Sequence, residues 1–267
     1  MPVSTAQILD PVSGRVTQRI QGKDGVLSYS FEAGTDGKLM RQTERVLLRL
    51  DAELDLDLQH ELSQPSAEVN VRQFDSVAGV DPVTGRPTTN VGKASPNEYN
   101  WEIFWADNPT FPAIEVIVHE WGHVLGLGHP DRDNPLSTAS NTAETVMSYN
   151  RNDSFPGRFY SKTDLEALTI LWGKESSAAA ERTPFSTGAT TSEKPSSLAF
   201  ELQQSIEAET SNQAFVVSAY ETLLERPADF GGAQSWEHAL EQGLSRRGMI
   251  DQILLSDEML GLLQTAV

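Results

Sequence analysis

Three of the five histidines in this 267-residue chain, His119, His123 and His129, fall within eleven residues, with Gly126 between the second and the third. Few local patterns restrict a backbone as tightly. Histidines four apart project from one face of an α-helix about one turn apart, so His119 and His123 meet only if the chain between them is helical. His129 can join them only if that helix stops and the chain turns back. Gly126 supplies the stop, because glycine enters the left-handed conformation that ends helices without a steric penalty. Pro130 then blocks renewed helix. Upstream, Pro112 suits the first turn of a helix that carries Ile114, Val116, Ile117, Val118, Trp121, Val124 and Leu125 up to Gly126.

Three imidazoles brought together in this way can hold one Zn²⁺, and with no cysteine in the chain any metal must sit on His, Asp, Glu or Tyr. Glu120 lies ~100° round the helix from His119, where it reaches a water on the metal rather than the metal itself. That is the place of a general base. His60 continues the parity of Leu54, Leu56 and Leu58 and reads as a packed histidine, and His238 is not needed where three nitrogen ligands suffice. Asp131, Asp133 and Asn134 offer oxygens to Ca²⁺, but a polar turn ending at Pro135 accounts for the same residues. Asp229 with Gly231-Gly232 reads as a turn and helix cap.

The rest of the chain divides in two. Val26 to Phe31 reads as a strand, and Leu39, Met40, Thr43, Val46, Leu47, Leu50 and Leu54 recur at helical spacing. Leu54, Leu56 and Leu58, then Val69 and Val71, alternate as half-buried strands do. Residues 75–100 read as a long connection with at most a short strand near Val91, and Trp101 to Ala106 as a further strand. A last helix is expected from Ser161 as N-cap, with Asp164 three residues on, to Gly173. The order predicts an α+β domain over 1–173. Residues 174–196 read as a linker. Over 197–267 every periodic segment is helical, which predicts a small all-α bundle, and the two parts are expected to fold separately.

Charge and hydropathy exclude several classes. With 38 acidic against 20 basic residues the formal charge is −18, which repels nucleic acid and anionic lipid. No apolar run approaches the ~20 residues of a membrane span, and Met1-Pro2-Val3-Ser4-Thr5 opens no Sec-type signal.

Taken together, His119 to His129 and Val146-Met147-Ser148-Tyr149 resemble the metzincin zinc peptidases. The Met-Ser-Tyr turn and His129-Pro130 are most similar to the serralysin branch. The likeness covers roughly residues 26–173 and includes Ser161-Lys162-Thr163-Asp164 and Leu171-Trp172-Gly173 of the last helix. It implies a twisted mixed sheet with an active-site helix and a C-terminal helix, Met147 as an apolar floor under the imidazoles, and Tyr149 as a phenol beside Zn²⁺ that can ligate it or stabilise an oxyanion. Thr145 stands where serralysins usually carry serine. Asp10 and Asp24 are candidates for a carboxylate that blocks the zinc from an N-terminal segment, as in some latent metzincins. Arg226-Pro227-Ala228-Asp229, Gly232, Trp236 and Gly243 resemble a helical module of unknown function that accompanies secreted bacterial proteins.

These readings predict a zinc endopeptidase with His119, His123 and His129 as ligands and Glu120 as base. By the metzincin likeness an extended peptide should pair with the Trp101–Ala106 strand as the cleft edge, and the loop Asn150 to Arg158 should set specificity. The competing expectation is a binding or adhesion protein with a vestigial zinc site and a partner on the helical module. A purely structural site needs no Glu120, which favours the enzyme. The serralysin likeness suits secretion by an uncleaved C-terminal signal, with Leu260 to Val267 as the apolar candidate. An intracellular peptidase fits the same residues.

Overall fold

A computed structural model describes residues 2–10, 25–61, 67–74, 77–80, 87–96, 100–106, 112–131, 134, 136–176 and 197–265; Asp24, Asp133 and the 177–196 part of the linker lie outside them. A single helical turn, α1 (Thr5–Ile8), precedes strand β1 (Val26–Phe31). Helix α2 (Gly37–Glu53) follows, its N-terminus capped by the Asp36 carboxylate, which accepts the Leu39 N–H at 2.9 Å. It carries the chain across to β2 (Asp57–His60), which lies parallel to β1. Parallel neighbours need such a crossover.

Strands β3 (Val69–Gln73) and β7 (Trp101–Trp105) extend the parallel sheet, and β6 (Gly92–Pro96) closes it antiparallel to β7, giving the order β2-β1-β3-β7-β6. The expected α+β class is observed, with a five-stranded mixed sheet. Trp101, Ile103 and Trp105 share one buried face of β7, as their alternation predicts.

Three expectations change. The 75–100 connection contains the short strand expected near Val91, as β6, and in addition a hairpin that was not expected, β4 (Val77–Val80) with β5 (Pro87–Asn90). Gly, Ala, Ser and Pro give β6 little intrinsic strand preference, so main-chain pairing with β7 decides it. The Trp101–Ala106 strand is not the sheet edge: it lies between β3 and β6, and the edge passes to β6. Leu54 belongs to α2 as its C-cap, and the strand drawn from the Leu54, Leu56, Leu58 alternation begins only at Asp57.

The remaining helices fall where periodicity puts them. α3 (Ala113–Val124) packs against β6, β7 and α2 and buries Ile114, Val116, Ile117, Val118, Trp121 and Val124. α4 (Lys162–Trp172) starts with a capping box between Ser161 and Asp164 and ends at Gly173. The last five are α5 (Leu198–Glu207), α6 (Asn212–Leu224), α7 (Phe230–Glu241), α8 (Arg246–Leu254) and α9 (Asp257–Thr265). Among the described residues no helix is long and apolar enough to cross a membrane.

Candidate metal centre

Helix α3 ends at Val124 with Leu125 as its C-cap, and Gly126, at φ 100°, turns the chain back toward the helix as its place in the motif requires. His119, His123 and His129 converge so that one nitrogen of each lies within 4.8 Å of the others. Main-chain carbonyls fix two of the rings. His119 Nδ1 donates to the Val146 carbonyl at 2.8 Å, and His123 Nδ1 donates to that of Leu127 at 2.9 Å. A carbonyl has no proton to give, so the single proton of each neutral ring is at Nδ1 and the Nε2 lone pair faces inward.

His119 Nε2 and His129 Nε2 face each other at 3.3 Å. Burial holds His119 and His123 below the ordinary histidine range, and together with the charge of His123 it brings His129 down to about 3. At neutral pH the cluster therefore presents converging unprotonated donors, which is the donor set that Zn²⁺ takes.

Glu120 is buried one step round the helix. Its Oε2 accepts the Ala94 N–H of β6 at 2.5 Å. Burial pushes its carboxyl up to about 8 against the pull of that hydrogen bond and of Lys93; a cation among the imidazoles would favour the ionised form. Neither β6 contact was legible in the sequence. Gly92 matters for the same reason, since a Cβ there would overlap Val116 Cγ1 and lie 2.8 Å from Glu120 Oε1. Gly92→Val is expected to leave a folded, zinc-binding protein and to lower turnover by about 100-fold, the scale of a ~1 Å misplacement of a reacting group. Wild-type turnover in the variant would show that the base needs no space at Gly92.

Met147 is fully buried beneath α3, and a Cβ at Gly122 would overlap its sulfur. The turn carrying Met147 is held from α4. Asp164 accepts Thr145 Oγ1–H at 2.5 Å and the Val146 N–H at 2.9 Å, a contact that uses only the hydroxyl that threonine shares with serine. The sequence marked Asp164 only as a cap. Tyr149 stacks over His119 with ring centroids 5.2 Å apart and lies 4.7 Å from His129. Although the residue is partly exposed, loss of solvation beside the histidines and then the Glu120 charge push its phenol up to about 12, so it is a proton donor at neutral pH.

The loop from Asn150 to Arg158 is fastened to the first turn of α3. Glu115 accepts two hydrogen bonds from Arg151, at 3.0 and 3.2 Å, and one from Arg158 at 3.1 Å. On the other side, the N-terminal segment pairs with the chain that leads to His129: Asp10 N–H donates to Gly126 O at 2.8 Å, and Gly128 N–H to Ile8 O at 2.6 Å. Asp10 is thereby placed beside the histidines, where its charge partly opposes their loss of basicity, but it is not part of the histidine cluster.

The other candidates lie elsewhere. His60 stacks on Tyr29 at 5.1 Å, with Nδ1 2.9 Å from Ser197 Oγ, and is a packed residue. His238 is on α7. Asp131 accepts the Asn134 N–H at 3.1 Å, as a polar turn does, and Asp229 caps α7 by accepting the Gly232 N–H at 2.8 Å.

No curated protein matches the chain. Residues 197–263, which span α5 to α8 and most of α9, match a family described as a domain of unknown function (DUF4214).

Proposed function

We propose that this chain is a zinc-dependent endopeptidase of the metzincin kind. The observation that carries the reading is the convergence of one ring nitrogen from each of His119, His123 and His129, with the Glu120 carboxyl one residue on from His119 and accepting the sheet-edge amide of Ala94. A site built only to hold a metal needs no such carboxylate.

When bound, Zn²⁺ supplies Lewis acidity that brings a water's pKa toward ~7. His119, His123 and His129 hold it through nitrogen. Glu120 takes the proton from the attacking water on its carboxylate and passes it to the leaving amine nitrogen. Tyr149 donates its phenolic O–H to the oxyanion that develops on the scissile carbonyl. An extended peptide lies along β6, where main-chain hydrogen bonds supply affinity in any sequence context. The Asn150–Arg158 loop, anchored at Glu115, forms a wall that discriminates between side chains.

A chelator is expected to abolish cleavage of an unfolded protein, and a stoichiometric Zn²⁺ addition to restore it, with one zinc per chain by elemental analysis. Zinc that binds one to one without any hydrolysis of an unstructured peptide library would overturn the peptidase reading while leaving the metal site intact.

A further inference from the structure

The outer face of α2 carries charged residues that meet the ends of the C-terminal helices one by one. Glu44 accepts Ser197 Oγ–H at 2.6 Å and the Leu198 N–H at 2.7 Å, at the N-terminus of α5. Arg45 donates to the carbonyls of Leu223 and Thr222, at 3.1 and 3.3 Å, and to Glu225 at 2.8 Å, at the C-terminus of α6. Arg49 donates to the carbonyls of Leu254 and Ser256, at 2.8 and 2.9 Å, at the C-terminus of α8. The signs are those that helix dipoles require, with a carboxylate at a free N–H end and guanidinium groups at free carbonyl ends.

Asp51 pairs with Arg247 in the first turn of α8 at 2.6 Å. Glu44, Arg45, Arg49 and Asp51 are all buried, as is Leu48 among them. Charges that deep are tolerated only when they are paired, and these pairings set one register between α2 and the helix ends.

The contact also reaches the surroundings of the metal centre. Arg49 lies over the Phe159 ring, 5.2 Å from its centroid. Arg45, Ile114, Arg158, Leu262 and Leu263 line one crevice between α2, the start of α3 and α9. Arg158 is also a partner of Glu115, so the module backs the anchor of the Asn150–Arg158 loop.

From this we infer that the C-terminal module is an internal brace: it clamps α2 and the Arg158–Phe159 segment against α3, and the chain folds as one cooperative unit. It stands as the alternative to the sequence-based expectation of two separately folding parts, and it is independent of the peptidase reading.

Calorimetry and hydrogen exchange on the full chain test it. The wild type is expected to unfold in one transition, with α2 and helices α5 to α9 losing protection together. Arg49→Met is expected to lower that transition by about 10 °C as a whole, the scale of removing one partner from a buried charged contact. It should also speed exchange in residues 150–160 by at least ~10-fold, through loss of the contact with Phe159. Phe230→Ser, at a position 79% exposed on α7, is expected to leave the transition unmoved. Two wild-type transitions would overturn the proposal without any variant, as would an Arg49→Met chain in which only residues 197–265 lose protection.

Discussion

Glu120→Ala is expected to retain zinc and to lose peptide hydrolysis by about 10²- to 10⁴-fold, the range for removal of a general base. Zinc should stay because the ligand set is positioned without Glu120: His119 and His123 are held by the Val146 and Leu127 carbonyls. Glu120→Gln separates chemistry from architecture. The amide oxygen can still accept the Ala94 N–H, so β6 keeps its contact, yet the side chain can no longer take a proton. Both variants should be comparably inactive. Activity in Glu120→Gln near that of wild type would mean that the carboxylate only braces β6. Elemental analysis with cleavage of a denatured protein supplies both readouts.

Tyr149→Phe is expected to keep zinc and to lower turnover by about 10²- to 10³-fold, the effect of losing one oxyanion donor. The variant should fold normally, because Tyr149 is 46% exposed and its ring contacts with His119 and His129 do not involve the hydroxyl. The loss should fall on kcat rather than on KM, since the donor engages charge that exists only in the transition state. Unchanged turnover with zinc bound would make Tyr149 a ring that packs on the histidines and nothing more.

The histidine cluster was legible in the sequence because its geometry is local. A helical spacing of four, a glycine able to take positive φ and a proline after His129 fix the relation of three side chains within eleven residues, whatever surrounds them. The same holds for α4, where Ser161 and Asp164 cap each other, and for β7, whose alternating Trp101, Ile103 and Trp105 name a buried face.

What supports that cluster was not legible, because it depends on partners far along the chain. Asp164 looks like a helix cap until the fold brings Thr145 and Val146 to its second side. Gly92 and Ala94 sit in a stretch with little strand preference, and they acquire a role only when pairing with β7 lays β6 beside Glu120.

The outer face of α2 is the plainest case. Glu44, Arg45 and Arg49 have the pattern of a solvated helix face, and periodicity alone assigns them to water. The tertiary structure buries them against helix ends about 150 to 200 residues later in sequence. Local stereochemistry thus determined which residues can meet in the histidine cluster. Long-range packing decided which carboxylate is anchored, which strand forms the sheet edge and which charges are inside, because burial and pairing are properties of two surfaces and a sequence pattern describes only one.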